Sequence, residues 1–187
     1  MGDGMRFTQT RLKGVYIVEV EPFVDERGMF FRVFCKNEFG GIGHKKEIVQ
    51  VNHSLTRRKG TIRGLHFQTL PASETKIVRC IKGGVYDVVV DIRAHSPTFL
   101  QSYGVELSKD NMRMIYIPEG FAHGFQTLKD NTELIYHHTA FYDPAYECGL
   151  RFNDPRLSIR WPLHASFVSK KDMDLPLIDG GFGGMQI

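Results

Sequence analysis

The stretch QVNHSLTRRKGTIRGLHFQ spans residues 50–68, and its last six residues, RGLHFQ at 63–68, decide how the rest of the chain is read. Leu65 and Phe67 alternate with His66 and Gln68, the period-two pattern of a strand with one dry and one wet face. Arg63 shares the parity of Leu65, so a regular strand would turn it away from His66. Gly64 sits between them, and a glycine inside a strand marks a bulge or a close approach of another backbone. The expectation is a strand that bends at Gly64, or an Arg63 that reaches around its edge, so that a cation and an imidazole share one site. Taken alone, the segment also fits a strand-end arginine and a hydrogen-bonded core histidine.

Outward from this stretch the chain reads as short strands. VYIVEVEPF (15–23) alternates up to Pro22, DERG (25–28) is a turn, and MFFRVF (29–34) resumes, which predicts a hairpin with a polar loop. CKNEFGGIG (35–43) has room for one helical turn before its glycines. EIVQVNHS (47–54), KIVRCIK (76–82), VYDVVVDIR (85–93), YGVEL (103–107), RMIYIP (113–118), HGFQTL (123–128) and ELIYHHTAFY (133–142) follow, separated by turns such as SPTF (96–99) and SKDN (108–111). Many short strands at even spacing predict an all-β sandwich or barrel. No helical periodicity precedes residue 160, and no repeat or linker divides the chain, so residues 1–187 read as one domain. The tail from about 163, with SKKD at 169–172, accommodates a short helix, and the last ten residues, with GGFGG at 180–184, are expected to fray.

Composition excludes several function classes. The chain has 187 residues, 42% hydrophobic and 24% charged, enough for one domain with a real core. The net charge of +3 is too small and dispersed for nucleic acid, and Arg57-Arg58-Lys59 reads as a solvated turn. No apolar run is long enough to span a membrane, and the N-terminus lacks the apolar core of a signal peptide. Cys35, Cys80 and Cys148 form neither a metal pattern nor a disulfide framework, which points to a reducing cytoplasm.

The histidines are the first candidates for chemistry. His66 and His123 lie on predicted strands, and His137 and His138 adjoin on another. PEGFAHGF (118–125) has the Pro-x-Gly-x-x-His of metal-binding cupins, but Gln68 stands where their second histidine would follow His66. One intact half and one broken half argue against a metal. General acid–base chemistry fits better. His66, Lys76, His123 and Tyr136 are the polar residues that the strands could turn inward, with Arg63 near. A histidine can take a proton from carbon, cations can hold an enolate oxygen, and a tyrosine can return a proton from another direction. Singly, Tyr136 also fits a core tyrosine with a satisfied hydroxyl, and Lys76 a snorkelling surface lysine.

Together DERGMFF (25–31), QVNHS (50–54), RGLHFQ (63–68), TKIVRCIKGGVYDVVVDIR (75–93), SPTF (96–99), IPEGFAHGF (117–125), IYHHTAFYDP (135–144) and NDPRLSIRWP (153–162) resemble the dTDP-4-dehydrorhamnose 3,5-epimerase family, over about residues 10–175. The resemblance implies a cupin-like jelly-roll barrel with short peripheral helices, a homodimer without metal or cofactor. It implies inversion of C3 and C5 of a dTDP-linked 4-keto-6-deoxy sugar on the way to dTDP-L-rhamnose. By the same resemblance His66 is the base, Asp172 the acid that orients it, Tyr136 the proton donor on the opposite face, and Lys76 and Arg63 the groups around the C4 oxygen and the diphosphate. Arg27, Gln50, Asn52, His123, Glu147 and Lys171 match positions that bind the nucleotide sugar. Arg32, His137 and the Phe141-Tyr142 pair depart from the family's usual residues at positions expected near the nucleotide and sugar. The departures leave a single-centre epimerase of a related nucleotide-linked 4-keto sugar as the close rival. A sugar-binding barrel without catalysis, or a 3,4-ketoisomerase, stands behind it.

Overall fold

The structure, a computed structural model, describes residues 4–187. Residues 1–3, the start of the segment read as lacking a signal peptide's apolar core, lie outside that range. Two six-stranded sheets face each other. The first runs in the order β1 (Met5–Gln9), β2 (Tyr16–Val20), β10 (Met114–Ile117), β7 (Lys76–Lys82), β12 (Thr132–His138) and β5 (Gln50–Thr56). The second runs β13 (Glu147–Gly149), β6 (Thr61–Gln68), β11 (Phe121–Thr127), β8 (Gly84–Asp91) and β9 (Ser102–Ser108), with β14 (Phe167–Val168) added parallel to β6. The crossed strand order of two packed antiparallel sheets is a jelly roll. A hairpin of β3 (Phe23–Asp25) and β4 (Gly28–Phe30) stands apart from both sheets.

Alternation sorts the side chains into three cores. Val78, Cys80, Val85, Val89, Ile115, Ile117, Phe125 and Leu134 fill the space between the sheets. Strands β5 and β6 give no residue to this core, so the interior is apolar along one side and left to polar groups along the β5–β6 side. Leu65, Phe67, Val88, Val90 and Ala122 point the other way and are covered by Leu150, Leu157, Ile178 and Met185 of the C-terminal segment. Leu65 is fully buried, which contributes about 1.5–3 kcal/mol for a side chain of that size. On the outer face of the first sheet, Phe39 of helix α1 (Lys36–Gly40) packs with Val18, Met114 and Tyr116.

Most expected strands are present, β1, β13 and β14 were not expected, and three of the expectations are modified. The hairpin at 15–34 is shorter than the pattern suggested: Pro22 ends β2, which pairs with β1 and β10, and only residues 23–25 and 28–30 form the hairpin. The alternation at 133–142 stops at His138, so Phe141 and Tyr142 lie in a loop. The tail expected to fray is docked instead: Met185 is buried, exchanges backbone hydrogen bonds with Ile92 and Ala94, and Phe182 stacks on Phe99 at 6.1 Å. The glycines hid an apolar Phe-x-x-Met pair that this outer core accepts. The short helices at 35–43 and in the tail are found as α1 and α2 (Lys170–Met173).

Candidate active site

The site starts with the irregularity in β6. His123 of β11 pairs with His66, and Phe125 pairs with Arg63, so Gly64 and Leu65 together oppose Gly124 alone. This two-against-one bulge adds one step of alternation, and Arg63 and His66 come to line the same cavity. Glycine is required on both strands. Gly64 has φ of +112°, and a Cβ there would lie 2.7 Å from Gly124 Cα and from the His123 carbonyl. A Cβ on Gly124 would lie 2.7 Å from the Arg63 carbonyl.

His66 is held by a carboxylate from the tail. Its Nε2 lies 2.7 Å from Asp172 Oδ1, and the Gly64 N–H donates to Asp172 Oδ2 at 3.3 Å. Asp172 is placed by α2, whose first turn is capped by Ser169 Oγ accepting from the Asp172 N–H at 3.1 Å. SKKD is thus a capping sequence whose acid turns away from the helix to meet β6. Burial opposes the charge on Asp172, but His66, Gly64 and Ser169 outweigh it and hold the carboxyl below the usual aspartate range. An ionised partner keeps a proton on Nε2 and leaves a lone pair on Nδ1, the tautomer a base needs.

Tyr136 of β12 comes from the opposing sheet into the cavity of about 530 Å³ that His66, Arg63, Lys76, His123, Asn52 and Ser54 also line. Its hydroxyl lies 3.2 Å from Ser54 Oγ on the neighbouring β5. Burial pushes the Tyr136 phenol far above the ordinary tyrosine range, which keeps it protonated and able to donate. Its ring stacks on His138 at 6.0 Å and meets His123 edge-on at 6.3 Å.

Carboxylates fix the remaining polar groups. Glu74 is paired with Lys76 Nζ at 3.2 Å and with His138 Nδ1 at 2.7 Å. Burial resists its charge, yet those two partners hold its carboxyl below the usual range. Lys76 Nζ also reaches the His66 carbonyl at 3.5 Å. Asp87 takes His123 Nε2 with both oxygens, at 3.0 and 2.9 Å. Among the described residues, no three His, Cys, Asp or Glu side chains are grouped as a metal centre.

The other expected binding residues divide into two groups. Glu147, Lys171, Tyr142, Gln50 and Asn52 form one chain at the rim: Lys171 Nζ donates to Glu147 at 2.6 Å, Tyr142 hydroxyl donates to Glu147 at 2.7 Å, the Tyr142 N–H donates to Gln50, and Gln50 donates to Asn52 at 3.1 Å. The exposed Phe141 lies beside them. A second cavity of about 760 Å³, lined by Arg57, Arg58, Arg63 and Lys171, meets the first at His66. Arg27 is elsewhere, on the exposed β3–β4 turn, paired with Asp25. Of the departures from the family pattern, Arg32 pairs with Glu38 beside α1 at 2.7 Å, and His137 lies on the face of β12 opposite Tyr136. Neither lines the cavity.

Asp87, Glu74, Ser54 and Ser169 were not singled out in the sequence. Asp87 had a visible signal, since it is an acid at an inward position of the β-branched run VYDVVVDIR. Ser169 had one as well, as the first residue of the capping pattern SKKD, whereas Glu74 and Ser54 show no local pattern.

The family model described as dTDP-4-dehydrorhamnose 3,5-epimerase matches residues 9–179. The chain belongs to the dTDP-4-dehydrorhamnose 3,5-epimerase family. The dTDP-4-dehydrorhamnose 3,5-epimerase of Shigella flexneri is 44% identical over 171 residues, covering 91% of this chain and 94% of its own. A dTDP-6-deoxy-D-glucose-3,5-epimerase from Legionella pneumophila Philadelphia 1, solved in complex with dTDP-4-keto-L-rhamnose, superposes with a TM-score of 0.91 at 37% identity, covering 98% of this chain and all of the other. A 3'-monoepimerase from Streptomyces bikiniensis, in complex with dTDP-quinovose, has a TM-score of 0.84 at 30% identity, covering 90% and 85%. These structures place the chain in the cupin jelly-roll fold of the epimerase family.

Proposed function

We propose that the chain inverts C3 and C5 of a dTDP-linked 4-keto-6-deoxyhexose, the reaction in the names of its relatives. The observation that carries the mechanism is the shared cavity: the His66–Asp172 pair enters it from one sheet and Tyr136 from the other. In this reading His66 takes the proton from the carbon next to the ketone, and Lys76 and Arg63 hold the negative charge that moves onto the C4 oxygen. Tyr136 returns a proton from the far side, which inverts the centre. C3 and C5 both flank C4, so one enolate-holding site serves both. The rim chain of Gln50, Asn52, Tyr142, Glu147 and Lys171 binds the nucleotide part, with His123 and Phe141 beside it.

The monoepimerase at 30% identity supports a second reading, inversion at one carbon only. Incubation with dTDP-4-keto-6-deoxyglucose in deuterated water separates the two. Deuterium at both carbons is expected, deuterium at one supports the rival, and none overturns both.

The same proposal includes a homodimer. Phe23, Val24, Met29 and Phe30 leave an exposed apolar hairpin, and Val51 and Leu55 are exposed on the edge strand β5. Such surfaces mark interaction sites. A dimer in which the hairpin crosses to the partner would give Arg27 a substrate to bind. Sedimentation of the purified chain tests this. For compartment, no described helix is long and apolar enough to cross a membrane. The three unpaired cysteines support the cytoplasm.

A further inference from the structure

Two inversions in one site pose a proton problem. In the first, the C–H bond breaks and its proton passes to His66, while the electron pair moves into the enolate. The enolate pair then forms a new C–H bond with the proton of the Tyr136 hydroxyl. The site is left with an imidazolium and a phenolate. Before the second carbon can react, His66 must lose a proton and Tyr136 must regain one. His66 is open enough to shed its proton, with its side chain 32% exposed. Tyr136 lines the same cavity, and a sugar bound there stands between its hydroxyl and the water that reaches His66.

Among the described residues, Ser54 is the one hydrogen-bond partner of the Tyr136 hydroxyl, at 3.2 Å. Among the described residues its Oγ makes no other hydrogen bond, so a hydroxyl with one donor and two acceptor positions keeps capacity to spare. Ser54 belongs to β5, the edge strand of its sheet, and is only half-buried, between the exposed His53 and Leu55. Ser54 thus reaches the phenol on one side and the open rim of the cavity on the other.

We propose that Ser54 is the proton relay that recharges Tyr136 between the two inversions. Resting on the assignment of Tyr136 as donor, the step is a concerted transfer. The Ser54 O–H gives its proton to the phenolate oxygen as Oγ accepts one from a water at the rim, and the hydroxide left there is neutralised by the proton that His66 sheds to solvent, so no charge remains on the serine or in the site. Ser54 touches neither reacting carbon and acts only through Tyr136.

The test is a single-turnover exchange in deuterated water, with enzyme in excess over dTDP-4-keto-6-deoxyglucose and label followed at C3 and C5 separately. In Ser54→Ala the carbon that exchanges first keeps its rate, while the second lags by about tenfold or more. Ser54→Thr and Ser54→Val keep one shape and differ in the hydroxyl: Thr restores the second exchange and Val does not. A shifted ratio of the two rates is not something a looser fold produces, and melting temperature is measured on each variant. Equal second-exchange rates in Thr and Val overturn the relay, as does an unchanged ratio in Ser54→Ala. Inversion of both carbons at the parent rate in Tyr136→Phe overturns the donor assignment itself. Loss of inversion in Tyr136→Phe beside an unchanged ratio in Ser54→Ala removes the relay alone.

Discussion

His66 and His123 stand opposite each other on β6 and β11, and each gives its Nε2 to a carboxylate of its own, Asp172 at 2.7 Å and Asp87 at 2.9 Å. The two pairs differ in what they leave free. Asp87 grips His123 with both oxygens, and both side chains are buried. Asp172 uses one oxygen on His66 and the other on the Gly64 N–H. His66 therefore keeps an accessible ring nitrogen and suits a base, whereas His123 suits a fixed wall.

Removing the proposed base, its orienting charge or the proposed donor is expected to stop turnover. His66→Asn and Tyr136→Phe should each lower kcat by about 100- to 10,000-fold, the range for a lost general base or acid. Asp172→Asn keeps the shape but not the charge, and should cost about 100-fold or more in kcat with KM little changed. Steady-state kinetics on variants of unchanged melting temperature provide the check. Near-wild-type kcat in all three would remove this pair and Tyr136 from the mechanism.

The bulge gives a prediction on stability. In Gly64→Ala the new methyl meets backbone on β11 at 2.7 Å, and the positive φ disfavours any side chain. Backbone cannot swing aside as a lysine end could. A loss of about 2–4 kcal/mol is expected, which lowers Tm by roughly 5–15 °C for a chain of this length. Because the bulge aligns Arg63 with His66, activity should fall even at temperatures where the variant is folded. An unchanged Tm would show that β6 and β11 separate more easily than their geometry suggests.

How far the sequence revealed this is clearest at Gly64. Alternation alone put Arg63 and His66 on opposite faces, and the interior glycine was the visible hint that the strand bends between them. Local pattern located β6, β7 and β8 to within two residues for the same reason: their faces differ sharply in polarity. β1 was missed because MRFTQ is a short run at the edge, paired only with β2, whose two apolar residues Met5 and Phe7 are only half-buried against Phe39. The link from His66 to Asp172 spans 106 residues, and no spacing rule reaches that far; only the family resemblance supplied it. Glu74, whose pairing with Lys76 and His138 depends on a loop between β6 and β7, was invisible for a related reason.

Asp91 carries a prediction on pH. It is fully buried and accepts hydrogen bonds from Arg93 at 2.6 Å, Ser96 at 2.6 Å and Thr98 at 2.6 Å. Burial opposes its charge, but those donors win and lower its pKa in the folded chain. Asp172 and Glu74 are lowered in the same way. A carboxyl with a depressed folded pKa adds stability at pH above its unfolded value, about 3.9 for aspartate, and that share disappears as pH falls through the folded value. Tm should therefore drop steeply below about pH 4. Asp91→Asn leaves Arg93 with a neutral partner, so it should cost about 3–5 kcal/mol near neutrality and soften the acid decline. Calorimetry across the acid range reads both. A variant whose acid decline matches the parent would show that other carboxyls carry it.

The rim residues should affect binding more than chemistry. Glu147 holds Lys171 and Tyr142 together at the mouth, and Lys171 is adjacent in sequence to Asp172. A substituent on the sugar's diphosphate touches this group equally before and during proton transfer, so its contribution is uniform binding. Glu147→Gln keeps the size but loses the charge that pins the other two side chains. KM is expected to rise about tenfold, with kcat within about twofold of the parent, since bonds to charged groups are worth about 1.5–3 kcal/mol and only part is lost. Lys171→Met separates the rim from the base, because it removes the ammonium while leaving Ser169 and the Asp172 N–H to cap α2. A fall in kcat without a rise in KM in either variant would mean that the rim positions Asp172 instead of the nucleotide, and the division between binding and chemical groups would have to be redrawn along α2.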